Sequence, residues 1–202
     1  MSDFRKMMPF IFHFAAGVYG NDGEDLLLPP DRQFALARKR GWSDDPDDPG
    51  GATMIDVTLS AYRSYRRQKG LPAPMKEDLR NIPYAEWVEI LKTMYWDRWC
   101  ATEIESQGIA NLLVDWVWAS GSATIRKVQV MIGVKADGIV GQKTISALNK
   151  ADVEIMFMRI FTERETYYRK CRGAWKYLGG WLRRLQAIRP DGSFLICGRI
   201  YK

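Results

Sequence analysis

The stretch Asp44-Asp-Pro-Asp-Asp-Pro-Gly-Gly51 concentrates carboxylates among prolines and glycines, so the backbone there turns sharply and holds its acids in a fixed loop or small hairpin. A calcium site and an ordinary acidic surface loop are the two uses such a loop offers. The EF-hand spacing and its terminal glutamate are absent, so by themselves the residues favour the surface loop. Cys100, Cys171 and Cys197 share no CxxC spacing, which gives no support to a disulfide framework or a zinc knuckle; buried thiols are expected. The only histidine, His13, lies in an apolar stretch. A histidine triad or a multi-histidine metal centre would have to be built around it alone, and a packed or surface ring is the simpler reading. No metal and no cofactor are expected.

Charge points to partners without naming one. Thirty Lys and Arg against 24 Asp and Glu give a formal charge of +6 and a pI near 9.2. That balance favours polyanions: nucleic acid, an anionic membrane surface or the acidic bacterial wall. The basic run Arg63-Ser-Tyr-Arg-Arg-Gln-Lys69 fits a solvated helix face better than a recognition surface, and no nucleic-acid motif accompanies it. No nucleic-acid partner is expected.

The elements that must position these residues follow from helical periodicity. With 202 residues, 47% of them hydrophobic, the chain is long enough and apolar enough for one folded domain. Phe4, Met7, Met8, Ile11, Phe12 and Ala15 make one apolar face of a first helix over residues 3–16. That apolar run is too short to span a bilayer, and Asp3 sits where a signal peptide carries positive charge, so no signal peptide and no transmembrane segment are expected. A short basic helix fits Gln33–Arg40. Thr58 caps a helix that runs through Lys69 and stops at Gly70 and Pro72. Further helices are expected over Tyr84–Tyr95, Ile109–Ala119, Ser122–Ile132, Gln142–Asn149, Val153–Arg172 and Leu178–Ile188, the last ending before Pro190. Asp115 interrupts an otherwise apolar helix, and a buried carboxylate there needs a partner. Alternating strand patterns are nearly absent. The fold is therefore read as all-α, with at most a small β-hairpin in the Gly20–Thr58 region.

Four segments in order carry a resemblance: Asp45-Pro-Asp-Asp-Pro-Gly-Gly-Ala-Thr53, Tyr95-Trp-Asp-Arg-Trp99, Val114-Asp-Trp-Val-Trp-Ala-Ser-Gly121 and Ala136-Asp-Gly-Ile-Val-Gly-Gln-Lys-Thr144. Together they resemble glycoside hydrolase family 108, the phage-type N-acetylmuramidases of lysozyme-like fold, some of which are labelled secretion activators. The resemblance implies a single lysozyme-like domain over 1–202. Its muramidase-like part spans 1–120 with an insertion at about 20–44, and a predicted peptidoglycan-binding part spans 121–190, where the Asp137-Gly138 turn, Gly141, Thr144 and the Gly180-Trp181 pair carry the likeness.

In that family a glutamate at the end of helix one, in a Glu-Gly-Gly-aromatic motif just upstream of the Asp-Pro-Gly-Gly-Ala-Thr loop, is the general acid. The corresponding text is Phe14-Ala-Ala-Gly-Val-Tyr19, which puts the glutamate at Ala15 or, shifted by one, at Ala16. If Lys39-Arg-Gly-Trp42 is the equivalent, the position is Lys39. None of the three supplies a carboxylic proton. Asp48 stands where the resemblance suggests the second carboxylate, Thr53 can hold a water, and Glu24 from the insertion is a candidate replacement acid. Tyr19, Trp42 and Tyr95 are candidates for stacking on sugar rings, each with core packing as the alternative. Asp56 replaces a glycine that the family usually has shortly before the hydrophobic-Thr pair.

Three functions stay open: a pseudoenzyme that binds peptidoglycan glycan strands but does not cleave them, an active muramidase with a relocated acid such as Glu24, and a basic helical nucleic-acid or partner-binding protein. The first is preferred. Such a protein is made in a bacterial or phage-infected cytoplasm, resident prophage included, and reaches the wall through a holin or a secretion system.

Overall fold

The computed structural model describes all residues, Met1–Lys202, and they gather into two units: Lys6–Met94, and Met1–Arg5 with Tyr95–Lys202. Both are mainly helical, as the apolar periodicity implies.

In the first unit, α1 (Met8–Ala16) carries Pro9 in its opening turn, where the missing N–H leaves no bond unmade. It ends at Gly17, whose left-handed conformation lets its N–H reach the carbonyls of the last turn. Phe12 projects from α1 between Phe34 and Trp87, with ring centroids 6.1 and 4.9 Å away. A 3-10 segment, Asn21–Leu27, leads to α2 (Pro30–Ala37) and is tied to it by the buried Gln33 amide, which donates to the carbonyls of Leu26 and Leu28 at 3.1 and 2.8 Å. The helix expected at Gln33–Arg40 thus starts earlier, with proline fixing its first turn, and stops sooner.

Strands β1 (Trp42–Ser43), β2 (Thr53–Met54) and β3 (Val57–Thr58) form a small antiparallel sheet in the order β1-β2-β3. Thr53 pairs with both Ser43 and Thr58, and Met54 with Trp42 and Val57. Helix α3 (Leu59–Gln68) follows directly, its first turn capped by Thr58 Oγ1, which accepts from the Ala61 N–H at 3.0 Å. Helix α4 (Lys76–Arg80) is too short for periodicity to reveal. Helix α5 (Tyr84–Ile90) continues into a π-helical stretch, Leu91–Trp96.

The second unit is built around α6 (Gln107–Ser120), in which every residue from Gly108 to Trp118 is buried. A helix enclosed on all sides is a core element. Helices α7 (Ala123–Met131) and α9 (Val153–Lys170) pack on α6, α8 (Gln142–Lys150) lies between them in the chain, α10 (Ala174–Gln186) packs on α9, and the chain closes with β4 (Phe194–Ile196) and β5 (Arg199–Tyr201), an antiparallel pair. Asp115 finds its partners on two other helices. Arg164 Nη2 of α9 donates to it at 2.5 Å, and Arg184 of α10 donates through Nε and Nη2 at 3.0 and 2.7 Å. Arg164 also donates to the Tyr168 hydroxyl and the Leu112 carbonyl.

The strands exceed the expected single hairpin: the N-terminal sheet has a third strand, and β4–β5 lies in a segment the periodicity leaves blank. Helix α10 begins at Ala174 rather than Leu178. The thiols also differ from expectation. Cys100 and Cys171 are half-buried and Cys197 is exposed, because Cys197 sits in the β4–β5 turn with φ 47°. No helix is long and apolar enough to cross a membrane.

Candidate functional site

The acidic loop is two consecutive turns that share Asp48. The Asp48 N–H donates to the Asp45 carbonyl at 3.0 Å, and the Gly51 N–H donates to the Asp48 carbonyl at 2.9 Å. In each turn aspartate is first and proline second, and the aspartate side chain takes the N–H two residues on: Asp47 N–H to Asp45 Oδ1 at 3.0 Å, Gly50 N–H to Asp48 Oδ1 at 2.8 Å. These carboxylates serve the backbone of their own loop, and no group of three or more candidate ligands converges on a metal position. Gly50 approaches Thr58, and Thr58 is the cross-strand partner of Thr53, so the Asp48 turn and the half-buried Thr53 belong to one sheet-loop unit.

Beneath it lies a strained turn. Ile55 and Asp56 join β2 to β3 with φ values of 49° and 60°, the two-residue hairpin geometry that favours Gly and Asn. Asp56 thus holds the left-handed backbone for which glycine is suited, and Ile55 is a β-branched residue in that region, an uncommon and costly state. The surroundings enforce it. The Ile55 N–H donates to the Gly41 carbonyl at 2.8 Å, and the buried Trp87 indole donates to the Ile55 carbonyl at 3.1 Å. Gly41 must be glycine, because a Cβ there would fall 2.7 Å from Ile55 Cγ1 and 3.3 Å from Ala16 Cβ. Trp87→Phe should leave the Ile55 carbonyl unpaired and lower the unfolding free energy by about 1–3 kcal/mol, read from urea denaturation. An unchanged midpoint would refute the pinning role.

The remaining candidates each have contacts of their own. Ala16 is buried against Gly41, and Ala15 is half-buried. Tyr19 meets His13 edge-on at 5.8 Å, and burial holds the His13 ring below the ordinary histidine pKa, against the opposing effect of its contact with the Val18 carbonyl. Glu24 is exposed on the 3-10 segment. Trp42 is half-buried under the Arg80 guanidinium, 5.4 Å from its ring centre. Tyr95 is half-buried against Trp118 at 4.6 Å in the second unit, a packing role, and burial raises its phenol pKa.

The first unit instead presents a shallow basic groove of about 370 Å³, lined by Ala35, Arg38, Lys39, Arg80 and Asn81. Arg38 Nη2 donates to Asn81 Oδ1 at 3.3 Å. The sequence names Lys39 but not Arg38 or Arg80, since Arg80 arrives on α4, the helix too short to read. A larger groove of about 740 Å³ in the second unit is lined by Met131, Glu154, Ile155, Met158, Arg159 and Glu163 among others, and its Glu163 carboxylate accepts from Lys127 Nζ at 3.3 Å.

Residues 33–121 match the family model of glycosyl hydrolase 108, and residues 123–186 match that of the predicted peptidoglycan domain. The chain pairs a glycosyl hydrolase 108 domain with a predicted peptidoglycan domain. Among solved structures, the chain is similar to SagA of Brucella abortus, with a TM-score of 0.72 and 22% identity over 94% of this chain and 92% of that one. That likeness concerns the fold, which is mainly helical and lysozyme-like. No curated protein matches. The glycosyl hydrolase 108 match takes in Lys39, Trp42, Asp48, Thr53 and Tyr95, and it leaves Ala15, Ala16, Tyr19 and Glu24 outside.

In the predicted peptidoglycan domain, the residues that carried the sequence likeness shape the fold. Buried Gln129 accepts from the Gly138 N–H at 2.8 Å and donates to Asp137 and the Ile139 carbonyl, which organises the Asp137-Gly138 turn. Trp181 packs on Tyr168 and Tyr177.

Proposed function

We propose that this protein binds peptidoglycan through a muramidase-type domain, residues 33–121, and a wall-binding part, residues 123–186, and that it does not cleave the glycan. The observation that carries the reading is the start of the family match at residue 33. Counted back without a gap from the Asp-Pro-Gly-Gly-Ala-Thr loop, the Glu-Gly-Gly-aromatic motif falls on Lys39-Arg40-Gly41-Trp42. Gly41 and the aromatic Trp42 are kept, and lysine stands for the glutamate, just past the end of α2. On this alignment Ala15 and Ala16 precede the domain, and the 3-10 segment with Glu24 is part of an N-terminal addition rather than an insertion within it.

The chemistry supports loss of turnover. Hydrolysis passes through an oxocarbenium-like state and needs a protonated carboxyl at the leaving oxygen. That carboxyl contributes about 10² to 10⁴ in rate. Lysine lacks it, and a cation at that place, with Arg38 and Arg80 beside it, repels the positive charge that develops on the sugar. Asp48 keeps the second position, with one oxygen already accepting from the Gly50 N–H. The charge of +6 favours retention on an acidic wall. The active-enzyme alternative has less support, because Glu24 is exposed and does not line the basic groove.

The test is co-sedimentation with purified sacculi alongside release of soluble muropeptides. Retention without release is the expected outcome. Release that disappears in Glu24→Ala would overturn the reading in favour of a relocated acid, and failure to sediment with sacculi would remove the wall as its ligand.

A further inference from the structure

The predicted peptidoglycan domain ends in α10, whose outer face carries residues that packing does not explain. Trp175 is 77% exposed in the first turn of the helix. Gly179 and Arg183 follow at successive spacings of four, so the three residues share one face, with Gly180 beside them. Two adjacent glycines inside a helix are unfavourable, since glycine is the poorest helix former after proline. Neither crowding nor conformation calls for them: neither has a positive φ, and a Cβ at Gly179 or Gly180 would meet only the Arg183 guanidinium, at 3.6 and 4.0 Å. Trp181 lies on the other side of the helix, against Tyr168, Tyr177 and the backbone at Gly173. One face of α10 therefore holds the helix in place, while the other offers an indole ring beside a strip of bare backbone.

The chain segment that carries this face has charge of one sign. From Thr166 to Pro190 there is no Asp or Glu, against seven Lys and Arg. Arg169 and Arg184 are engaged with Glu165 and Asp115, while Arg172, Lys176 and Arg183 are exposed.

We propose that this face of α10 is a seat for the peptidoglycan glycan strand. The Trp175 ring stacks on the C–H face of a pyranose, and the Gly179-Gly180 strip lets the sugar approach the helix backbone. Arg172, Lys176 and Arg183 meet the carboxylates of the peptide stems. The inference rests on the wall-binding reading above and names the surface responsible for it.

The experiment measures sacculus binding by the full chain, Trp175→Ala, and the double variant Gly179→Gln with Gly180→Gln, with thermal melting of each. Both variants should bind roughly tenfold or more weakly. The glutamine variant should melt no lower than the wild type, because glutamine is the better helix former; loss of binding without loss of stability separates the surface from the fold. If the wild type binds sacculi and both variants bind equally well, the α10 seat is refuted while wall binding stands. If the wild type does not bind, both readings fall. Binding by the wild type to anionic phospholipid vesicles but not to sacculi, weakened by the same substitutions, would assign the face to a membrane surface and overturn the glycan proposal.

Discussion

Asp115→Ala should destabilise the protein by about 3–5 kcal/mol, because it leaves the fully buried Arg164 and the nearly buried Arg184 without their counter-charge. Removing one member of a buried ion pair strands the other in a medium that solvates it poorly, and here two guanidiniums converge on a single carboxylate. For a chain of this length the melting temperature should fall by roughly 10 °C or more. Asp115→Asn keeps an acceptor but no charge, and should lie between wild type and alanine. The double variant Asp115→Ala with Arg164→Met should recover part of the loss, since the stranded cation goes with its partner. Full stability of Asp115→Ala would sink the account.

The same site sets a pH dependence. Burial works to raise the Asp115 carboxyl, but the charges of Arg184 and Arg164 overcome it and hold the carboxyl below its ordinary range. A group whose folded pKa is depressed stabilises above its unfolded value and loses that contribution as pH falls through the folded one. Wild-type stability should therefore decline on acidification below the ordinary carboxylate range, and Asp115→Asn should decline less. Equal slopes in thermal melts from neutral to acid pH would contradict the assignment.

Lys39→Glu should create muropeptide release where the wild type has none, by about 10²-fold over background, the lower end of what general acid catalysis supplies. Arg38 and Arg80 line the same groove and favour the ionised carboxylate, so the activity should be greatest on the acid side of neutrality. Lys39→Gln removes the cation without adding an acid and should stay silent, which separates the proton donor from mere charge relief. Adding Asp48→Ala to Lys39→Glu should abolish the gain. Activity in Ala15→Glu or Ala16→Glu, with a folded but silent Lys39→Glu, would show that the catalytic position lies at the end of α1 after all.

The amino-acid sequence alone determined whatever depends on near neighbours. The helix faces, the Thr58 cap, the Gly17 stop and the tandem turns around Asp48 all rest on bonds between residues two to four apart, and residue type with spacing specifies such bonds. Asp56 was visible as a departure from glycine, and its positive φ supplies the reason. The need for a counter-charge at Asp115 was also legible, because a carboxylate in an apolar helix is unfavourable unpaired.

Only the tertiary structure decided which groups met. The partners of Asp115 lie on α9 and α10, far along the chain, and nothing in the α6 sequence selects them. Arg80 reaches Trp42 from a five-residue helix that shows no period, so the basic character of the groove beside Lys39 was hidden. Trp175 and Trp181 occupy one helix and are chemically alike, yet one is exposed and the other packed. Hydrophobicity assigns both to the interior, and the direction from which α9 packs against α10 leaves one of them in water.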